Sequence, residues 1–170
     1  MLNQLNTHQV NRKESKMALM IGNAAPEFSL FDTEKKERTL KEFAGKKLVL
    51  VFYPGAFTGV CTKELCTFRD SLAQFNSLKA QVLGVSVDAP FANKAFAAEN
   101  HLQFPLLSDY TRETSKRYGG VHEDFAGLKG YSASKRAVFI IDEEGKILYR
   151  WVSENPGVEP NYDEVIKALA

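Results

Sequence analysis

Apolar positions along this chain fall into short solid runs, separated by stretches with helical spacing. LVLVFY (Leu48 to Tyr53) and QVLGVSV (Gln81 to Val87) are apolar at nearly every position, the pattern of strands buried on both faces. Between them, Cys61, Leu65, Phe68, Leu72 and Phe75 recur at three- and four-residue intervals, which places them on one stripe of a helix. Strand, helix and second strand make a βαβ unit, expected to be right-handed. Downstream, Pro90 to Asn100 reads as a helix started by Asp88, Phe104 to Asp109 as a strand, and Thr111 to Tyr118 as a short helix ended by Gly119 and Gly120. AVFIID and KILYRWV flank Glu143-Glu144-Gly145 as the arms of a hairpin, and a helix capped at Asn161 runs to Leu169. This alternation predicts an α/β fold with a central mixed sheet covered by helices on both faces.

Residues 1 to 18 carry few apolar positions and no period, so they read as a disordered extension, or as an upstream start preceding Met17. One domain is then expected over residues 19 to 170. The chain as a whole is 44% hydrophobic and 25% charged, an ordinary globular composition. With 22 basic and 21 acidic residues, the net charge of +1 gives no electrostatic case for nucleic acid or an anionic membrane. No apolar run is long enough to cross a bilayer, and nothing near Met1 has the layout of a secretory signal, so a cytoplasmic or other soluble location is expected. Two cysteines cannot form a disulfide scaffold in a chain of 170 residues; they serve either packing or chemistry.

Chemistry concentrates in Tyr53-Pro54-Gly55-Ala56-Phe57-Thr58-Gly59-Val60-Cys61, which joins the C-terminal end of a buried strand to the next helix. Open α/β sheets place ligands at such junctions. Free backbone N–H groups and the positive end of the helix dipole favour an anion there, so a cysteine in this position tends toward thiolate, the nucleophilic form. Lowering a thiol pKa from about 8.5 to about 6 raises the thiolate fraction at neutral pH roughly 30-fold, or about 2 kcal/mol of barrier. Further acceleration requires hydrogen-bond donors and a fixed cation near the sulfur, for which Thr58 and one arginine are candidates.

Pro54-x-x-x-Thr58-x-x-Cys61 resembles the PxxxTxxC signature of the peroxiredoxin family. The likeness extends from about Ile21 to the C-terminus, through APEFSL, FYPGAFTGVCTKEL, LLSD and KRAVFIIDEEGKI. It implies a thioredoxin-like fold and a thiol peroxidase without cofactor or metal. In that reading the Cys61 thiolate attacks a hydroperoxide, Pro54 shields the cysteine, Thr58 holds the peroxide and Arg136 contacts thiolate and substrate. Glu64 matches an acidic position that orients the arginine side. Arg112, Arg117 and Arg150 remain alternatives for the cation.

Cys66, five residues after Cys61, resembles the resolving cysteine of the bacterioferritin-comigratory, or Q-type, subgroup. A Cys61–Cys66 disulfide would then be recycled by thioredoxin or a similar dithiol. In an intact helix five residues separate Cα atoms by roughly 8 to 9 Å. A disulfide needs less than about 7 Å, so the helix start must unwind first. Helical phase sets Cys66 opposite the apolar stripe, with Lys63, Asp70 and Ser77, where an exposed thiol is expected. A one-cysteine peroxidase with Cys66 idle and a non-catalytic redox sensor or holdase stay open, as do monomer and homodimer. His8, His101 and His122 show no metal-ligand spacing with the cysteines.

Overall fold

A computed structural model describes residues 18 to 170. The expected extension over residues 1 to 18 therefore lies, apart from Ala18, outside the described residues. The chain begins with an antiparallel pair, β1 (Ser29–Asp32) and β2 (Glu37–Thr39), followed by a single 3-10 turn at Leu40–Phe43. Next come β3 (Lys47–Phe52), α1 (Gly59–Asp70), α2 (Leu72–Ser77) and β4 (Ala80–Ser86). The middle of the chain forms α3 (Pro90–Glu99), β5 (Leu106–Ser108), α4 (Glu113–Arg117) and the short pair β6 (Val121–His122) and β7 (Ala133–Ser134). The hairpin β8 (Ala137–Ile141) and β9 (Ile147–Val152) precedes the closing helix α5 (Tyr162–Lys167).

Seven strands form one mixed sheet in the order β2-β1-β5-β4-β3-β8-β9. The β3–β4 and β4–β5 pairings are parallel and the others antiparallel. The two solid apolar runs are the central strands, and their alternation splits the core in two. Leu48, Leu50 and Phe52 face one layer with Phe139, Ile141 and Tyr118, whereas Val49, Val51 and Tyr53 face the other with Val138 and Ile140. Each such fully buried Leu or Phe contributes about 1.5–3 kcal/mol.

The two faces are covered unequally. Leu65 and Phe68 of α1, Phe75 of α2, Phe96 of α3 and Val165 of α5 all pack on the Val49–Val51–Tyr53 side. The opposite side is closed by the 3-10 turn, through Leu40 and Phe43, and by Tyr118 at the end of α4. On the Val49–Val51–Tyr53 side Gly84 in β4 permits close packing, because a Cβ there would stand 2.5 Å from the Leu106 side chain.

Several boundaries differ from the sequence reading. The long helix after β3 breaks at Ser71, whose ψ of 3° ends α1 and starts α2. Leu72 then sits half-buried at the edge of the stripe. Ala89, not Asp88, caps α3, with Pro90 setting φ for its first turn. The strand expected over Phe104 to Asp109 shortens to β5, and the helix expected over Thr111 to Tyr118 shortens to α4, entered through a left-handed Arg112 at φ 66°. Asn161 does cap α5, its Oδ1 accepting from the N–H groups of Asp163 and Glu164.

Candidate active site

The parity of β3 and β8 decides which side chains meet. Arg136 precedes β8 in phase with Val138 and Ile140, so it enters the layer occupied by α1. Lys135, one residue earlier, points away and pairs with Glu154 at 2.7 Å. Arg150 lies opposite Phe139 in the hairpin register, on the far face of the sheet from α1. Arg112 donates to the Ser132 and Tyr110 carbonyls, and Arg117 lies on α4 over that same far face. Of the four arginines considered from sequence, Arg136 alone reaches Cys61.

Arg136 is 1% exposed and uses its whole donor fork. Nη2 donates to Cys61 Sγ at 3.3 Å and to the Pro156 carbonyl at 2.7 Å, and Nε donates to that same carbonyl at 3.1 Å. Nη1 donates to Glu64 Oε2 in a fully buried ion pair. Burial alone would lower the guanidinium pKa, but the neighbouring Glu64 and Cys61 outweigh it and hold the group above its ordinary value. Cys61 occupies the first turn of α1 and is completely buried, so the N–H to sulfur contact acts in a dry environment where it is electrostatically strong.

Burial pushes the Glu64 carboxyl up to about 7, against the pull of Arg136, with Glu159 adding to the rise. Its Oε1 has no hydrogen-bond partner among the described residues. Pro156 was not legible as a site residue. Its carbonyl is aimed by a turn in which Ser153 Oγ donates to the Asn155 carbonyl and Asn155 Oδ1 accepts from the Gly157 N–H. Such a turn contributes only a main-chain oxygen, which carries no side-chain signature.

Pro54 is buried at the end of β3. Thr58 holds the N-cap position of α1 with extended backbone, but its hydroxyl does not cap the helix. Oγ1 instead donates to the Gly55 carbonyl at 2.8 Å and, on an exposed side chain, accepts from no donor among the described residues. Between them Phe57 adopts φ 64°, a strained conformation for a non-glycine residue, and packs edge-on against Phe96 at 5.3 Å. Asp88, expected as a helix start, anchors this loop: its Oδ2 accepts from the Ala56 N–H at 2.9 Å and from Ser86 Oγ at 2.8 Å. Behind it, Tyr53 donates to Asn93 Oδ1 at 2.7 Å within the buried layer.

Cys66 departs from the expected exposed thiol. It is half-buried, and its Sγ donates to Asn100 Oδ1 at 3.7 Å at the end of α3. Both cysteines are free thiols, and α1 is unbroken between them. Among the described residues, no three His, Cys, Asp or Glu side chains gather as a metal-holding group. No helix among them is long and apolar enough to cross a membrane.

The site therefore joins a buried sulfur in the first turn of α1 to a buried cation, with the Thr58 hydroxyl at the N-cap position of the same helix. The AhpC/TSA family model matches residues 21–150. The chain belongs to the AhpC/TSA family. It shares with that family the function class of thiol-dependent peroxidases. A family member from Coxiella burnetii, a putative peroxiredoxin bcp, is 38% identical over 79% of this chain and 89% of its own. A chloroplastic peroxiredoxin Q from Populus jackii is 36% identical over 87% of this chain and 67% of its own. The chain spans 57 to 67% of the length of the chloroplastic relatives it matches. Among solved family structures, peroxidoxin BcpB from Mycobacterium tuberculosis superposes with a TM-score of 0.77 at 31% identity, covering 89% of this chain and 96% of that one.

Proposed function

We propose that Cys61 is the peroxidatic residue of a two-cysteine cycle in which Cys66 resolves. The observation that carries this reading is the contact from Arg136 Nη2 to Cys61 Sγ at 3.3 Å, in a buried site at the start of α1. The Cys61 thiolate attacks the terminal oxygen of a hydroperoxide, the O–O bond breaks, and the other oxygen leaves as water or an alcohol after taking a proton. Arg136 stabilises negative charge as it moves from sulfur to the leaving oxygen. The Thr58 hydroxyl, already donating to Gly55, accepts from the peroxide O–H. Pro54 excludes water beside the sulfur, and Glu64 with the Pro156 carbonyl holds the guanidinium against it.

Cys66 then attacks the sulfenic sulfur, the S–S bond forms and water leaves. Thioredoxin or a similar dithiol reduces the disulfide and releases both thiols. Such a cycle suits a reducing compartment such as the cytoplasm. The half-buried Cys66, turned toward Asn100, favours a second reading in which an external thiol reduces Cys61 directly.

Intact mass and free-thiol count after one equivalent of hydrogen peroxide separate these readings, on the wild type and on Cys66→Ser. Loss of two hydrogens and of both thiols in the wild type, with one oxygen gained in the variant, supports the two-cysteine cycle. One oxygen gained in both, with equal turnover, supports the one-cysteine cycle. Two unreacted thiols would overturn both.

A further inference from the structure

Arg69 lies on α1 one turn beyond Cys66, and its Nη1 donates to the Asn100 main-chain carbonyl at 2.7 Å. The same Asn100 accepts from the Cys66 thiol through Oδ1, and its Nδ2 donates to the Phe96 carbonyl at 3.0 Å, closing the last turn of α3. His101 follows in the left-handed region at φ 51°, which turns the chain away and leaves the Asn100 carbonyl facing α1. One residue of α3's end therefore holds two consecutive turns of α1. Cys61 Sγ meanwhile is held by Arg136 from the sheet, on a different side of the same helix.

We infer that Arg69 and Asn100 form a latch that keeps α1 closed over Cys66, and so sets how the Cys61 sulfenic acid divides between disulfide and sulfinic acid. The inference rests on Cys66 being the resolving residue. Closing the disulfide requires the start of α1 to unwind, which lifts Cys66 off Asn100, and the Arg69 contact opposes propagation of that opening into the next turn. While α1 stays closed, a second hydroperoxide competes: the sulfenate sulfur attacks its O–O bond, gains one oxygen as sulfinate, and water or alcohol leaves. Disulfide closure is independent of peroxide and sulfinate formation is proportional to it. The peroxide concentration giving equal amounts of the two therefore rises in step with the closing rate. Arg69 and Asn100 are positioning residues here: Asn100 holds the Cys66 thiol only while α1 is closed, and Arg69 bonds the Asn100 main chain rather than either cysteine.

The test uses Arg69→Met, which keeps the aliphatic stem, and Asn100→Ala, which removes the acceptor of the Cys66 thiol, beside wild type and Cys66→Ser. Rapid quenching with a thiol alkylator and mass analysis give three numbers: the rate of Cys61 oxidation by hydrogen peroxide, the rate of disulfide closure, and the sulfinate fraction against peroxide concentration. Each latch variant should close roughly threefold to tenfold faster, the scale of one lost hydrogen bond, and need correspondingly more peroxide for half-conversion to sulfinate. Cys61 oxidation should stay at the wild-type rate, which also shows that the site is folded. Closing rates and sulfinate fractions equal to wild type in both variants would overturn the latch while leaving Cys66 as resolver. If the wild type forms no intramolecular disulfide and Cys66→Ser turns over equally fast, the resolver reading fails and the latch with it.

Discussion

Replacing Arg136 by Lys keeps the charge and removes the fork. In the native site one planar group satisfies three acceptors at once: Cys61 Sγ at 3.3 Å, the Pro156 carbonyl at 2.7 Å and the Glu64 carboxylate. A lysine ammonium is a point charge on an unbranched stem and cannot present donors in that geometry. With Glu64 as the strongest acceptor, the ammonium should settle there and leave the sulfur without its donor. A hydrogen bond to a charged group contributes about 1.5–3 kcal/mol, so the second-order rate of Cys61 oxidation should fall roughly 10- to 150-fold. The assay is stopped-flow oxidation by hydrogen peroxide in the Cys66→Ser background, paired with alkylation of Cys61 by iodoacetamide. Alkylation needs the nucleophile but no O–O cleavage, so it should fall less than oxidation if Arg136 also stabilises the leaving oxygen. Circular dichroism and a urea midpoint establish that the variant is folded. An Arg136→Lys protein that is folded and oxidised within about threefold of wild type would refute the assigned role of the guanidinium.

Other consequences follow from the same contacts. Glu64 has a folded pKa near 7, above the ordinary carboxyl value of 4.5, so its ionised form is disfavoured in the folded state. Glu64→Gln should gain stability relative to wild type as pH rises from 4.5 toward about 7 and then hold a constant advantage, measured by urea denaturation across that range. A flat difference across that range would contradict the buried carboxyl's titration. Thr58→Val removes the hydroxyl and should slow Cys61 oxidation about 10- to 100-fold, whereas Thr58→Ser should stay within about threefold of wild type, as read by stopped flow. Asp88→Ala frees the Ala56 N–H and should slow oxidation by up to about tenfold while lowering stability by about 1–2 kcal/mol in urea denaturation.

The sequence alone determined the central strands, the helical character of the segment between them, and the grouping of Pro54, Thr58 and Cys61 on one strand-to-helix junction. Leu48 to Tyr53 and Gln81 to Val87 are apolar on both parities, and only a strand between two covered faces buries such a run. Pro54, Thr58 and Cys61 are local in the chain, so their spacing is written directly in the residues, as is the cap at Asn161. What lies far apart needed the fold. Asp88 reads as a helix start from its neighbours, yet its carboxylate closes the loop at Ala56, thirty-two residues away. Helical phase set Cys66 away from the apolar stripe, and it is α3, arriving from elsewhere in the chain, that covers the thiol with Asn100. Among four candidate arginines, strand parity and hairpin register, not local sequence, carried Arg136 to the sulfur and Arg150 to the other face. The Pro156 carbonyl had no signal at all, because every residue has a carbonyl and only the folded turn aims this one. Local periodicity is a property of neighbours, whereas a buried charge is satisfied by whatever the topology brings against it.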